Sequence, residues 1–326
     1  MEKGRIKSIA SFFLKLALVS VLLVFMAKRG FLSFESIKNA AQYPGKISIA
    51  VALMLISTFL GIIRWNILLK ALKIQLPNTK MFSIAMIGSF FNVALPGAVS
   101  GDVIKAIFVA QEVEGVRAKA FSSIFFDRVL GVSALFLISG FALLLSAGHA
   151  WAIGVFTPLK TLLIVAGAII VGFYAFLFGL AHHWDPFLPI LKNFESKLKP
   201  VGSIRRIYEG ILEYRSHPVP FAMAFLLTLI IHSFIVIAFQ LLFEALGVTD
   251  LSLNALFVVV PLGIFVSGIP VLPAGIGTGH AAFAYLLYLL GSQTGADAFN
   301  FLVLFNLALG ALGSLFWIQR RKRHFS

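Results

Sequence analysis

The side chains able to hold a charged ligand stand at a few places in an otherwise apolar chain. Asp102 and Lys105 are three residues apart, Asp127 and Arg128 are neighbours, and Arg64 lies near the end of a long apolar run. Asn92 and His280 flank two interruptions rich in Pro and Gly. A charge inside a membrane span costs about 2.5 to 3.5 kcal/mol on insertion scales, so such groups face the protein interior or water and find partners. Arg64, Lys105 and Arg128 all fall toward one membrane face, and together they suit a phosphate, for which Arg supplies a two-pronged donor. Asp102 and Asp127 would orient those cations or bind a cationic headgroup. Adjacent residues on a helix point about 100° apart, so Asp127 and Arg128 are expected to reach different partners. Plainer roles stand beside these. Asp127 and Arg128 also suit structural ion pairs, Arg64 a snorkelling cation, Asn92 a cap for freed backbone groups, and His280 a hydrogen-bonded core residue. The titration range of imidazole makes His280 the pH-sensitive candidate.

What must position these groups is a pair of broken helices. Leu95-Pro96-Gly97-Ala98-Val99-Ser100-Gly101-Asp102 and Leu272-Pro273-Ala274-Gly275-Ile276-Gly277-Thr278-Gly279-His280 share one pattern: Leu-Pro, then small residues and Gly, then an ionisable residue where a helix restarts. Pro removes an amide donor and Gly permits unusual backbone angles, so the helix breaks there and frees backbone polar groups. Hydrocarbon does not solvate such groups. Non-helical backbone at membrane depth persists only where protein buries it or a wet cavity reaches it, and a matched pair in opposite orientations marks inverted-repeat transporters. Pro96, Gly97, Gly101, Pro273, Gly275 and Gly277 therefore join the candidate site. The alternative is a pair of ordinary loops whose half-helices fill gaps between full spans.

Composition sets the environment. Only 12% of the 326 residues are charged and 60% are hydrophobic, too little charge to cover a soluble domain. The chain reads as an integral membrane protein. It has no Cys and no metal-binding His spacing, so thiol and metal chemistry are not expected and no cofactor is implied. Runs of roughly 20 apolar residues predict six full spans: Ile9 to Ala27, Ile47 to Leu69, Ala120 to Ser146, Thr161 to Ala181, Phe221 to Phe243 and Phe299 to Ile318. The two interrupted segments, 81–110 and 253–290, are too short to cross twice and read as re-entrant hairpins. With both re-entrant, Lys and Arg concentrate in the segments on one side, the cytoplasmic one, and both termini fall there. The hairpins then dip in from opposite faces. The expected architecture is an all-α polytopic membrane domain spanning 1–326, with halves 1–181 and 219–326 forming a pseudo-inverted repeat. The cytoplasmic linker 182–218 holds two amphipathic helices.

The motifs Ser89 to Gly97 with Ser100-Gly101-Asp102, Ser123 to Gly131 around Asp127-Arg128, and Pro270 to Phe283 resemble the signatures of the flippase-like family, the transmembrane region of bacterial lysylphosphatidylglycerol synthases, also found as stand-alone proteins. The resemblance covers nearly the whole chain. It implies a polytopic domain with broken helices that moves modified phospholipids between leaflets, with stand-alone members tied to hopanoid, glycolipid or polyprenyl-linked metabolism. The family's usual Gly-Gly-Asp reads Ser100-Gly101-Asp102 here, its following Arg reads Lys105, and a Glu common after the second Gly-x-Gly reads His280. No soluble acyl-transfer domain follows the membrane part, so synthesis of an aminoacyl lipid is not expected. The leading expectation is a lipid flippase of the cytoplasmic (inner) membrane whose partner is a phospholipid or polyprenyl-phosphate lipid, with no nucleic-acid partner and with oligomerisation open. The competing readings are a transferase acting on a polyprenyl-linked or phospholipid headgroup, with Asp102 or Asp127 as base, and a non-transporting scaffold of a lipid-synthesis complex.

Overall fold

The computed structural model describes residues 38–95, 100–180, 185–195, 201–269 and 275–324. The expected first span, Ile9 to Ala27, lies outside the described residues, as do Pro96, Gly97 and Pro273. The described residues form helices joined by short turns, without strands: α1 (Pro44–Ala71), α2 (Asn78–Ala94), α3 (Ser100–Glu112), α4 (Arg117–Leu145), α5 (Ala150–Ala175), α6 (Phe187–Glu195), α7 (Val201–Leu212), α8 (Pro218–Ala245), α9 (Leu253–Ser267), α10 (Thr278–Tyr288) and α11 (Gly295–His324). Five helical stretches are long and apolar enough to cross a bilayer: Pro44–Ala71, Arg117–Leu145, Ala150–Gly179, Pro218–Ala245 and Gly295–Arg321. The chain is thus a multi-pass helical membrane protein.

One boundary differs from expectation. The span predicted from Thr161 begins at Ala150, and Pro158 lies inside α5. Proline is tolerated in membrane helices because nearby groups re-satisfy the freed backbone.

The α2–α3 hairpin carries the first candidate residues. Its helices run antiparallel: Ser100 Oγ donates to the Phe91 carbonyl at 2.9 Å at the closed end, and Lys80 Nζ meets Glu112 Oε2 at 2.5 Å at the open end. Between these ties the backbones approach so closely that a Cβ on Gly101 would overlap the Gly88 carbonyl oxygen and the Asn92 side chain. Glu112 also accepts Arg320 of α11 at 2.7 Å, tying the open end to the last helix. The second hairpin, α9–α10, brings Gly275 against Ser267 and Gly263 against the Phe283 ring.

The long helices pair in a repeating scheme. α1 lies antiparallel along α8, with Lys46 to Glu244 at 2.7 Å near one end and Arg64 to Thr228 at 3.2 Å near the other. α2 packs on α11 and α9 packs on α4. Exchanging α1 with α8, α2 with α9, α3 with α10 and α4 with α11 leaves the first pairing as it is and interchanges the other two, and it likewise interchanges α3 on α4 with α10 on α11. In the linker, α7 lies on α4, where Ser122 Oγ donates to the Ile207 carbonyl at 2.7 Å. Tyr214 follows α7, stacks on Phe126 at 4.1 Å and donates to the Leu68 carbonyl at 3.0 Å.

Two measurements follow from the first hairpin. Gly101→Ala should lower the thermal unfolding midpoint by several degrees, since overpacking costs about 1–3 kcal/mol, whereas Gly140→Ala, with open space around it, should not. The hydrogen bond from Lys80 and the attraction of Arg320 hold the Glu112 carboxyl below its ordinary value of about 4.5. Its stabilising contribution is therefore present at neutral pH and lost as pH falls through the lowered value. The stability gap between wild type and Glu112→Gln should stay constant down to about pH 4.5 and narrow below it.

Candidate functional site: a charged cluster on a cavity wall

Because α3 starts inside the protein, its first turn is an interior feature. Asp102 is its third residue and is 3% exposed. A carboxylate there meets the positive end of the helix dipole. Two cations complete its shell: Lys105 Nζ lies 2.6 Å from Oδ1 and Arg128 Nε donates to Oδ2 at 2.5 Å. Lys105 also sits over the Trp65 ring at 4.9 Å, and Trp65 is fixed by a 3.1 Å bond from Nε1 to Ser123 Oγ. Asn92 reaches across from α2 and accepts the Gly101 N–H at 2.8 Å, so it caps the new helix.

One residue back on α4, Asp127 faces α1. Arg64 grips it with both prongs, Nε to Oδ1 and Nη2 to Oδ2, each at 2.8 Å, and gives Nη1 to Thr228 Oγ1 of α8 at 3.2 Å. Arg64 is therefore drawn inward to a carboxylate rather than outward to the interface. Asp127 and Arg128 do reach different partners, as their angular separation requires. Asn66, two residues from Arg64, bonds weakly to Asn78 at 3.5 Å instead.

These five charged side chains share one wall of a cavity of about 1020 Å³. Much of the remaining lining is apolar, from Val132 and Leu135 of α4, Ile235 of α8, Phe265 of α9 and Leu302 of α11. Residues flanking both breaks reach it: Asn92 and Asp102 from the first, Ser267, Gly268 and Gly275 from the second. Arg128 is the most accessible of the charged set, with 43% of its side chain exposed. A smaller recess of about 170 Å³ reaches Arg64, Lys105 and Asp127 from between α1 and α2.

Three predicted residues stand elsewhere. Gly101 serves the close contact of α2 with α3 and does not line the cavity. Gly277, at φ +84°, ends the second break, and its N–H donates to His280 Nδ1 at 3.2 Å. His280 Nε2 lies 2.9 Å from Asn300 Oδ1, with the ring edge-on to Phe299, so both nitrogens are engaged in holding α10 against α11. The pH-sensitive role expected of His280 does not fit this buried, saturated imidazole, which lies off the cavity lining. The lining imidazole is His232 of α8, which sequence reasoning missed along with Thr228, Ser267 and Asn306. His232 is buried beside Arg64 and against the Gly131 backbone. Thr228 and His232, four apart in an apolar run, share one helix face, and that spacing was the available signal.

The fold and the site together define a helical multi-pass membrane protein with a charged chamber at two helix breaks. Residues 12–317 match the family described as the lysylphosphatidylglycerol synthase TM region, and the chain belongs to that family. It is 25% identical over 262 residues to the UPF0104 membrane protein PH1989 of Pyrococcus horikoshii, covering 76% of this chain and 78% of that protein. No solved structure matches it.

Breaking a buried pair by removing one partner costs about 3–5 kcal/mol, while replacing both with apolar groups is often close to neutral. Asp127→Leu should therefore lower the unfolding midpoint in detergent well below wild type, and adding Arg64→Met should recover most of the loss. Additive losses in the double variant would show that the two side chains are not a pair.

Proposed function

We propose that the protein moves a lipid with a polar, phosphate-bearing headgroup between the leaflets of the cytoplasmic membrane, without covalent chemistry and without a cofactor. In this reading α2–α3 and α9–α10 are re-entrant hairpins entering from opposite faces, in an inverted repeat of six full spans, with both termini cytoplasmic. The observation that carries it is the clustering of Arg64, Asp102, Lys105, Asp127 and Arg128 in a cavity whose remaining lining is mostly apolar. A free polar solute needs no apolar wall, and an acyl chain needs no ions. A lipid headgroup with its tails needs both.

The rim supports the same reading. Val103, Phe125 and Ile269 line the cavity and are also exposed, at 41%, 48% and 45%. Tails emerging there would stay in hydrocarbon while the headgroup occupies the charged wall. Membership of the lysylphosphatidylglycerol synthase TM family is compatible with such a role.

Because the cations are engaged with Asp102 and Asp127, a phosphate would bind by sharing them rather than by meeting bare charges. Headgroup binding would thus exchange ion-pair partners, at less cost than exposing an isolated ion. Reconstituted into vesicles with a trace of fluorescent phospholipid, wild type should speed movement from the inner to the outer leaflet. Lys105→Ala and Arg128→Ala should each reduce that rate at least about tenfold while eluting as folded protein. Wild-type rates in both variants would remove these residues from the pathway, and vesicles no faster than protein-free ones would contradict transport itself.

A further inference from the structure

The linker between α5 and α8 presents an apolar row left half-exposed by the rest of the described chain. Phe187, Ile190 and Phe194 lie three and four apart on one face of α6, and with Ile204 of α7 each is 50% to 55% exposed. The two helices that carry the row are held in place. Arg205 of α7 pairs with Glu195 of α6 at 2.6 Å, Tyr208 donates to Asp185 at 2.9 Å, and the Glu195 carboxylate lies against Gly202. α7 is fixed in turn on α4, through Ser122 and through Lys119 to Glu213 at 2.8 Å. The row is thus a built surface.

The neighbouring helices identify what covers it. Because α5 and α8 are both long and apolar enough to span a bilayer, the linker that joins them lies at a membrane surface. At the start of α6 the Phe187 ring packs edge-on against Phe176 at 5.6 Å, and Phe176 and the exposed Phe178 close the apolar stretch Ala150–Gly179. The row therefore begins where the lipid-covered surface of α5 ends. Charge is sorted the same way. At about 100° per residue, the exposed Lys192 falls on the far side of α6 from the row, and the exposed Arg206 on the far side of α7 from Ile204. An apolar face with cations opposite is the pattern of a helix lying in the membrane plane, sunk into the boundary between headgroups and acyl chains. A soluble partner would meet a row that runs into hydrocarbon at one end.

We propose that the α6–α7 hairpin is an interfacial platform whose occupant is the bilayer surface, and that it sets the level of the cavity in the membrane. Ile207 of α7 lines the cavity, as do Phe121 and Phe125 of α4, and Phe125 is also exposed. Docking of the platform fixes that exposed edge at headgroup depth. The quantity that matters is depth in the membrane, so the platform stands or falls separately from transport.

The full chain has no Cys, so single cysteines in vesicles can carry an environment-sensitive dye, with quenching compared for spin labels high and low on the lipid chains. Dyes on Ile190→Cys, Phe194→Cys and Ile204→Cys should be quenched by the shallow label, as should one on Phe125→Cys. Lys192→Cys and Arg206→Cys should stay open to an aqueous quencher, and Ile164→Cys, midway along α5, should answer to the deep label. Phe187→Ser with Phe194→Ser should lower the ratio of inserted to exposed dye on Ile190→Cys at least about tenfold, as loss of a buried aromatic ring allows. If that variant does not fold, the pattern of single cysteines decides alone. Row positions as open to the aqueous quencher as Lys192→Cys overturn the proposal. So does a row shielded from lipid and aqueous quenchers alike, which would mean a protein cover such as a second copy. A shallow row with Phe125→Cys quenched by the deep label overturns the level assigned to the cavity.

Discussion

A carboxylate that is almost fully buried in a membrane protein keeps its charge only if cations and backbone dipoles replace the water it has lost, and Asp102 is placed where all of these converge. The convergence depends on the break before Ser100. A helix that began at the membrane surface would put its N-terminal turn in water, where a carboxylate needs no partners. Starting α3 inside the protein brings that turn, Lys105 one turn later and Arg128 of α4 to the same point. The neighbouring pair of Arg64 and Asp127 then follows, because α4 carries Asp127 one residue before Arg128 and so turns it toward α1. Four helices, α1, α3, α4 and α8, are thereby tied through two neighbouring ion-pair clusters that meet on α4.

Small residues make this arrangement possible at close range. Gly101 lets α3 approach α2 until Asn92 can cap it, and Gly313 of α11 lies against the Met86 carbonyl on the other side of α2. Without a hydrophobic drive between helices in lipid, such close backbone packing supplies much of the association energy. The hairpin that presents Asp102 is accordingly held on both flanks, and Glu112 ties its open end to α11. The repeat of pairings between the halves brings the end of α9–α10, nearly free of charge, to the same cavity.

Much of this was legible in the sequence where the signal is local. Apolar runs marked the five described spans, Leu-Pro followed by small residues and Gly marked the two breaks, and a three-residue spacing put Asp102 with Lys105. Angular separation on a helix anticipated that Asp127 and Arg128 would part. Long-range matters were not legible. Nothing near Arg64 in sequence indicates Asp127, 63 residues away, and its charge alone is equally consistent with snorkelling to the interface. His280 attracted attention because it follows a break, yet its neighbours in space, Gly277 and Asn300, saturate it. His232 sits in an unbroken apolar run, and its placement at the cavity follows only from the antiparallel packing of α8 on α1. The early start of α5 was hidden by Pro158 and Lys160, which mimic a loop.

The most direct measurement asks whether the chamber beside the ions is wet. The chain has no Cys, so single cysteines can be placed one at a time. Asn306→Cys and Ile235→Cys line the cavity, while Ile169→Cys and Val171→Cys are exposed positions of α5 that hydrocarbon would cover. In vesicles, a membrane-impermeant anionic thiol reagent should modify the two cavity positions and spare the α5 positions, and it should outpace its cationic counterpart at the cavity. Cavity cysteines as unreactive as those on α5 would mean a dry, closed interior and would contradict the account.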